Sequence, residues 1–171
     1  MLQAMPDIKT SAHVASADLF KTVSSHWPSG VAVITTVGND GTPHGLTMSA
    51  VISLSLEPMQ YLISVDKKSS TLPLIKQCSR FCINFLNISQ GDIGMKFASK
   101  ADDKFAGINY RTSRFGLPLI VGAVSSITCA LASVVLSGDH EILIGDVLEI
   151  EHYGGEPLVH LRRAFHTVAS L

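Results

Sequence analysis

The sequence predicts a mainly β fold, a closed or nearly closed antiparallel β-barrel with short helices inserted between its strands. Two observations favour this class. About six apolar stretches carry the alternation or the β-branched residues that are typical of strands. Helical spacing is confined to short stretches that do not alternate strictly with the strands. Because no repeat or linker divides the 171 residues, we expect a flexible arm over residues 1–15 and one domain over residues 16–171.

The first half of the domain is expected to contain one helix and three strands. Ser16 is suited to cap a helix that runs to about residue 26, because its hydroxyl can accept a hydrogen bond from the first turn. Residues 27–37 are then predicted to form a turn that leads into a β-branched strand, and Asn, Asp, Gly and Pro predict a turn over residues 38–45. Two more strands are predicted, over residues 46–58 and 59–65.

The second half is expected to contain two short helices and four strands. Residues 69–78 and 89–100 have the apolar spacing of helices, and Pro73 is tolerated in the first helical turn. Alternating apolar residues predict a strand over residues 80–86. Residues 101–118 are polar and contain several glycines, so a loop is expected there. Three long strands are predicted to end the domain, over residues 124–136, 141–151 and 157–165.

The composition favours a subunit that buries surface against a second copy, and it argues against nucleic-acid binding. Hydrophobic residues make up 46% of the chain and charged residues 16%, with a net charge of -1. This is apolar for a monomer of this size, so a homodimer is expected. Nucleic-acid binding needs clusters of Lys and Arg that displace counterions. The pairs Lys67-Lys68 and Arg162-Arg163 are too short for that purpose.

The protein is expected to act in the cytoplasm and not in a membrane. Its N-terminus lacks the apolar core, flanked by basic residues, of a signal peptide. Residues 116–138 carry no charge, but Pro118, the glycines, the hydroxyl residues and the valines fit a buried strand better than a membrane helix. The three cysteines lie in apolar surroundings, which indicates reduced thiols, and no set of metal ligands is visible.

Two stretches rich in serine and threonine are the ligand-binding candidates that the residues themselves suggest. They cover residues 45–55 and 64–73, each at the end of an apolar strand. Hydroxyls, backbone amides at a helix start and a nearby lysine suit a phosphate group. Small residues allow a flat ring system to lie close to the backbone. The same residue types also cap helices and line turns, so a cofactor site and a structural role both stay open.

His140 stands between a Ser-Gly-Asp turn and the start of a predicted strand. An imidazole in such a place can contact a ligand, coordinate a metal ion or act as a base. It can equally be a strand-end residue that Asp139 or Glu141 holds in place. The local residues leave these roles open.

A set of motifs that runs in order through roughly residues 20–165 reads WPSGVAVITT, PHGLTMSAVISLSLEP, LISVDKKSSTLPLI, FCINFL, FASKADDKF, SGDHEILIGDVLEIE and PLVHLRRAF. These motifs resemble the flavin reductase-like family, the short-chain NAD(P)H:flavin oxidoreductases of two-component monooxygenases. The resemblance implies a split β-barrel of the FMN-binding type and a homodimer, with FMN or FAD in a groove near the subunit interface. It also implies NADH or NADPH as the electron donor, and an oxygenase component as the partner that receives reduced flavin.

The resemblance further implies which residues bind the cofactor. The segments that match flavin contacts of the family contain Pro28, Ser29, Gly30, Thr47, Met48, Ser49 and Ala50. Those that match its ribityl and phosphate contacts contain Ser64, Asp66, Ser69, Ser70, Thr71, Phe97, Ala98 and Lys104. The end of the chain, with Arg162, Arg163 and Phe165, resembles the family's C-terminal Arg-aromatic ending, although the family often has tyrosines where His160 and Leu161 stand.

For His140, which falls in a Gly-Asp-His motif, the resemblance implies a catalytic-site residue that positions the nicotinamide. Hydride transfer needs the two reacting rings face to face and close together, and it needs no general base from the protein. Two other functions compete with a reductase. One is a flavin-binding carrier or sensor without reductase activity, and the other is a barrel subunit without a ligand.

Overall fold

The computed structural model describes residues 14–169, so most of the predicted arm over residues 1–15 lies outside the described residues. The helices of the described part are α1 Ala17–Ser24, α2 Thr71–Cys78, α3 Gly91–Ala98 and a 3-10 turn, Ile88–Gln90. All three α-helices lie within the predicted ranges. The hydroxyl of Ser16 caps α1 as predicted, since it accepts a hydrogen bond from the amide of Leu19 at 3.2 Å. Between residues 14 and 169, no helix has the length and apolar content needed to cross a membrane.

Strands dominate the described part of the chain, which confirms the predicted mainly β class. They are β1 Ser29–Gly30, β2 Ala32–Val37, β3 Pro43–Met48, β4 Val51–Leu56, β5 Met59–Asp66, β6 Arg80–Phe85, β7 Tyr110–Thr112, β8 Pro118–Ile120, β9 Ser125–Ser137, β10 His140–His152, β11 Val159–Leu161 and β12 Ala164–His166. Seven of them form one sheet in the order β3-β2-β6-β9-β10-β5-β4, and every pair is antiparallel. The short strands form a three-stranded sheet, β1-β11-β12, and the pair β7-β8.

The large sheet curls so that its two edges meet at one corner. β3 and β4 are the edge strands, yet only Ser49 and Ala50 join them. The amide of Ser64 in β5 donates to the carbonyl oxygen of Ala50 at 3.1 Å, which holds the corner against the sheet. Within residues 14–169, β3 and β4 do not pair with each other. The sheet is therefore curled like a barrel that stays split between its first and last strands.

β2 is buried on both faces, which explains its continuous apolar sequence. Ala32 and Ile34 belong to the larger core cluster, which also contains buried residues of β5, β6, β9 and β10. Val33 and the preceding Val31 belong to a second cluster that includes Phe97 of α3. β2 thus joins the interior of the curled sheet to the helix that covers it.

Asn84 in β6 is fully buried, and both polar atoms of its side chain are hydrogen-bonded. Its amide nitrogen donates to the carbonyl oxygen of Val33 at 3.1 Å and to the hydroxyl of Thr35 at 3.2 Å. Its amide oxygen accepts hydrogen bonds from the backbone amide of Ile120 at 3.0 Å and from the hydroxyl of Ser126 at 2.8 Å. These contacts connect β6 to β2, β8 and β9.

The three cysteines are free thiols. Cys82 and Cys129 lie on the neighbouring strands β6 and β9 and are fully buried, whereas Cys78 is partly exposed. Burial raises the pKa of each of the two core thiols to about 12, because the thiolate is poorly solvated there.

The prediction of one strand over residues 46–58 is wrong, because this range contains the end of β3 and all of β4. The turn predicted over residues 38–45 is wrong from residue 43 onward, where the chain is already part of β3. β3 already begins at Pro43, and it ends before the corner from which β4 begins. Apolar and small residues continue through the corner without interruption, so the local pattern contains no turn signal there. Pairing of β3 with β2 and of β4 with β5 sets the corner instead.

The single strand predicted over residues 157–165 is a hairpin of β11 and β12. Arg162 and Arg163 form its two-residue turn, with φ angles of 51° and 64°. Such turns usually contain Asn-Gly because both residues are left-handed, so an arginine pair gives no sequence signal. A left-handed non-glycine residue costs of order 1–3 kcal/mol.

The loop predicted over residues 101–118 also contains a strand, β7.

Candidate functional site

Three adjoining cavities surround the corner between β3 and β4, and we name them together the corner groove. The first has a volume of about 610 Å³ and lies between β1, the start of β2, the corner and the end of β6. Its walls are mostly apolar. It is lined by Trp27, Pro28, Ser29, Gly30, Val31, Ala32, Ser49, Ala50, Val51, Ile52, Phe85, Leu86, Val124, Pro157 and Leu158.

The second and third cavities of the corner groove lie on the side of the β11–β12 hairpin. The second, of about 380 Å³, is lined by Val31, Thr47, Met48, Ser49, Gly94, Met95, Ala98, His160, Arg163, Ala164 and Phe165. The third, of about 590 Å³, is lined by Phe20, Lys21, Ser24, Ser25, Trp27, Ser29, Ser49, His160 and Arg163. Ser49 lines all three cavities, so the groove is continuous around this residue.

A smaller cavity of about 160 Å³ lies at the other end of β3, beside the start of α2. Lys104 lines it, and its amino group donates to the carbonyl oxygen of Phe97 at 3.0 Å. Partial burial lowers the pKa of Lys104, because the charged form loses solvation. Asp102 and Asp103 also line this cavity, so its walls carry charges of both signs.

Some of the predicted hydroxyl groups are already engaged within the protein. Thr47 donates to the carbonyl oxygen of Gly94 in α3 at 2.6 Å. The buried hydroxyl of Thr71 donates to the carbonyl oxygen of Gly45 at 3.4 Å. Ser29 and Ser49 make no side-chain hydrogen bond to any residue between 14 and 169, so their hydroxyls stay available to a ligand.

The structure brings most of the predicted cofactor-binding residues together in two places. The corner groove is lined by Pro28, Ser29, Gly30, Thr47, Met48, Ser49, Ala50, Ala98 and Phe165. The smaller cavity is lined by Ser70, Thr71 and Lys104. The described residues that line these cavities do not include Ser64, Asp66, Ser69, Phe97, Arg162 or His140.

Three of these remaining residues have clear structural contacts. Phe97 is fully buried in the second core cluster. The carboxylate of Asp66 accepts a hydrogen bond from the amide of Lys68 at 2.8 Å. The hydroxyl of Ser69 accepts one from the amide of Thr71 at 3.3 Å. Asp66 and Ser69 therefore shape the turn that leads into α2.

His140 lies at the start of β10, opposite Asp66 of β5, and its side chain is 41% exposed. Its Nδ1 atom is 2.7 Å from a carboxylate oxygen of Asp139. This hydrogen bond lowers the pKa of Asp139. The other ring nitrogen makes no hydrogen bond to the described residues. The geometry therefore suits a strand-end histidine, and it also suits an oriented imidazole that presents Nε2 to a ligand.

Several residues of the corner groove were not assigned to the site from the sequence. Trp27 lies between α1 and β1, Met95 lies on α3 and His160 lies on β11. Only Trp27 has a sequence signal, because it directly precedes the predicted cofactor-binding residues Pro28, Ser29 and Gly30. Of the arginine pair, the structure places Arg163 in the groove and leaves Arg162 outside the cavity linings. The unpredicted hairpin turn is the reason, because it determines which arginine reaches the groove.

The part of the chain that forms this groove is similar to known proteins. The family model described as the flavin reductase like domain matches residues 24–169. The chain is 39% identical to a flavin reductase of Pseudomonas putida over 132 residues, which cover 77% of this chain and 78% of that protein. It is 41% identical over 128 residues to the reductase subunit of a flavin-dependent monooxygenase of Mycobacterium tuberculosis, with 75% and 68% of the two chains covered.

The fold is also similar to that of a solved protein with bound ligand fragments. This is an NADH:FAD oxidoreductase of Streptomyces globisporus in complex with NAD and FAD fragments. The two structures agree with a TM-score of 0.86 at 27% identity, over 92% of this chain and 98% of the other. The family match contains every lining residue of the corner groove except Phe20 and Lys21 of α1. Sequence, fold and groove thus agree, and the chain belongs to the flavin reductase like family.

Proposed function

We propose that the protein is an NAD(P)H:flavin oxidoreductase, which reduces FMN or FAD by hydride transfer and supplies reduced flavin to a partner monooxygenase. The corner groove is the observation that carries this proposal. Apolar walls, small residues and two available hydroxyls meet there, within the segment that the family model matches. The relatives at 39% and 41% identity are a flavin reductase and the reductase subunit of a flavin-dependent monooxygenase, which supports the same activity.

The corner groove fits a flat, largely apolar ring system such as that of a flavin. Small-molecule pockets usually have volumes of about 300–1,000 Å³, and the first cavity has about 610 Å³. No atom lies within 4 Å of the position that a side chain at Gly30 would occupy, so a ligand can approach the backbone closely there. Ala50 adds only a methyl group, while Ser29 and Ser49 offer hydroxyls to the polar edge of a ring.

We place the phosphate end of the flavin in the smaller cavity. Gly45 of this cavity and Met48 of the corner groove are three residues apart on β3, a distance of about 10 Å along a strand. An extended ribityl chain can therefore run beside β3 from one place to the other. Backbone amides at the start of α2 and the amino group of Lys104 suit a phosphate.

The residues of the groove contribute to the reaction by orienting the flavin and nicotinamide rings. When bound, the flavin supplies the ring that accepts a hydride from the dihydronicotinamide. The walls of the groove hold two planar rings in contact and exclude water from the space between them. Ser29 and Ser49 fix the ring edge by hydrogen bonds, and no side chain has to remove a proton for the hydride to move.

We further propose a homodimer that forms through β4 and the last part of β9. Leu56 and Leu136 are 77% and 70% exposed, and Ile52, Leu54 and Val135 are exposed beside them in sequence. Exposed apolar residues in such number on two strands favour association with another protein surface. Ile52 also lines the first cavity, so a second copy on β4 would border the corner groove.

Purified protein is expected to oxidise NADH or NADPH at a saturable rate when FMN or FAD is added. The four combinations of donor and flavin are compared by the loss of nicotinamide absorbance, with reactions lacking either protein or flavin as controls. Flavin binding without consumption of either nicotinamide would identify a carrier instead and would overturn the proposed reductase function.

Replacing His140 with alanine is expected to lower kcat/KM for NADH about tenfold, because one hydrogen bond to the nicotinamide is lost. Flavin affinity should stay within about twofold, since His140 lines none of the cavities that hold the flavin in this proposal. His152→Ala is the matched control, because His152 contacts Ser125 at 2.8 Å and lies outside the cavity linings. Equal rates for His140→Ala and the control would leave His140 with a structural role alone.

A further inference from the structure

We propose that His160 contacts the polar edge of the flavin ring and makes the corner groove bind reduced flavin more tightly than oxidised flavin. This inference rests on the proposed function and concerns the retention of its product. It assigns a role to an imidazole that lies in the groove and that the sequence did not predict as a site residue.

His160 lies in the middle strand of the small sheet β1-β11-β12. It pairs with Ser29 of β1 on one side and with Phe165 of β12 on the other. Residues directly opposite each other on neighbouring strands point to the same face of a sheet, so these three side chains form a row. All three line the corner groove. The imidazole therefore lies beside the hydroxyl of Ser29 that we assign to the polar edge of the ring.

Packing against α3 fixes this row in place. A methyl group added at Gly91 or at Gly94 would lie 3.3 Å from the ring of Phe165, so the two glycines leave just enough space for that ring. The ring of His160 in turn meets the ring of Phe165 at an angle of 70°, with 6.2 Å between the ring centroids. α3 thus holds Phe165, and Phe165 limits the positions that the half-buried imidazole of His160 can take.

The ring nitrogens of His160 are available to a ligand. Its imidazole lines the second and third cavities, and it makes no hydrogen bond to any residue between 14 and 169. Four other histidines have one ring nitrogen within hydrogen-bonding distance of another protein atom, and they are His26, His140, His152 and His166. Because half-buried polar groups are usually paired, the free imidazole of His160 suits a ligand contact.

The charges around His160 favour an anion. Lys21 of α1 and Arg163 of the hairpin line the third cavity beside it, and Arg163 also lines the second. The residues that β3, the corner and α3 contribute to these cavities are uncharged, namely Thr47, Met48, Ser49, Gly94, Met95 and Ala98. In the described part of the chain, no Asp or Glu lines the corner groove. A proton on His160 therefore gains no carboxylate partner until an anionic ligand binds.

The proposed reaction creates such an anion. Hydride transfer from NAD(P)H adds two electrons and one proton to the neutral oxidised ring and leaves NAD(P)+, so reduced flavin carries one negative charge at its polar edge. An imidazole at this edge can take up a proton from water and donate a charge-assisted hydrogen bond to the ring. Oxidised flavin gains no charge-assisted contact, because it is neutral. His160 thus favours binding of the reduced form.

The preference for reduced flavin is expected to fall as the pH rises. Near neutral pH an imidazole beside an anion holds a proton, whereas at alkaline pH it loses that proton and the charge-assisted contact with it. Since protons bind to the complex more strongly than to the free protein, a rise in pH weakens the complex with reduced flavin. The groove therefore releases its product more readily at alkaline pH.

The midpoint potential of the bound flavin tests this role without NADH turnover. Its shift from the potential of free flavin gives the ratio of the affinities for the two redox states, and dithionite titration of the full chain with FMN or FAD measures it beside a reference dye. In the unmodified protein the shift is expected to be positive. At about pH 7, His160→Phe should reduce the preference for reduced flavin at least tenfold, which lowers the potential by about 30 mV for a two-electron couple.

His166→Phe is the matched control. His166 lies on the same hairpin, is exposed and lines none of the cavities, so the potential should stay as in the unmodified protein. His160→Phe keeps an aromatic ring against Phe165 and removes only the nitrogens. Equal potentials in the unmodified protein, His160→Phe and His166→Phe would overturn the role of His160, as would a bound flavin whose potential is no higher than that of free flavin.

His160→Gln separates the charge from the hydrogen bond, and it keeps the test decisive if His160→Phe is poorly folded. Glutamine donates a hydrogen bond but cannot take up a proton. Between about pH 7 and about pH 9, the preference for reduced flavin should fall about fivefold in the unmodified protein and stay constant in His160→Gln. The same fall in both proteins would overturn the proposal. Failure of the reductase function alone is distinguishable, because it would appear as no consumption of NADH or NADPH while these potentials remain as expected.

Discussion

Replacing Ser49 with tryptophan is expected to weaken flavin binding at least about a hundredfold, a free-energy change of about 3 kcal/mol. Ser49 lines all three cavities of the corner groove, so an indole at this position fills the space that a ring system needs. The residue is exposed at the corner between β3 and β4, which means that the new side chain does not have to enter the core. Fluorescence titration with FMN and FAD measures the effect.

Gln77→Trp is the matched control for this prediction. Gln77 is exposed on α2 and lines none of the cavities, so it receives the same indole at a place remote from the proposed ring site. Both variants should keep the thermal stability of the unmodified protein within a few degrees. Flavin affinity that Ser49→Trp reduces no more than Gln77→Trp does would show that the ring binds elsewhere.

Replacing Asn84 with alanine is expected to lower the free energy of unfolding by about 3–5 kcal/mol. The change leaves the amide of Ile120 and the hydroxyl of Ser126 without their buried partner, and it removes the donor to Val33. Each buried polar group left unsatisfied costs about 1–3 kcal/mol. For a domain of this size, the melting temperature should fall by roughly 10 °C or more. Denaturant unfolding at equilibrium measures the change.

Ser126→Ala is the control, because it measures the cost of losing a single hydrogen bond to Asn84. This variant removes one contact of Asn84 and leaves its hydrogen bonds to Val33, Thr35 and Ile120 intact, so its cost should be near ~1 kcal/mol. Because Phe85 and Leu86 follow Asn84 and line the first cavity, the asparagine variant should also weaken flavin binding. A cost for Asn84→Ala no larger than that for Ser126→Ala would mean that the hydrogen bonds of Asn84 to Val33, Thr35 and Ile120 do not stabilise the fold.

The elements that the sequence predicts well are those with a complete local signal. α1 has a serine cap and an apolar face, and β6, β9 and β10 have apolar runs bounded by turns. The corner at Ser49-Ala50 and the turn at Arg162-Arg163 have no such signal. Both exist because the strands on either side pair with distant partners, and those pairings outweigh the local preferences of the turn residues.

The residues of the candidate site also differ in whether a local sequence signal predicts them. Residues 47–50 lie in a stretch that small and hydroxyl side chains at the end of a strand mark as a ligand-binding candidate, whereas residues 28–30 are expected at the site only from the resemblance to the family. Trp27, Met95 and Arg163 reach the groove only because α1, α3 and the hairpin pack around the corner. Side chains gathered in this way share no spacing in the sequence, so no motif limited to neighbouring residues identifies them.

Burial of the two core thiols affects how readily hydrogen peroxide oxidises this protein. Reduced flavin that meets oxygen releases hydrogen peroxide, so a protein that makes it works near an oxidant of its own making. Burial raises the pKa of Cys82 and Cys129 to about 12, so very little of either side chain is the reactive thiolate at neutral pH. Peroxide attacks thiolates and not thiols, so the interior of this protein resists sulfenic acid formation throughout turnover.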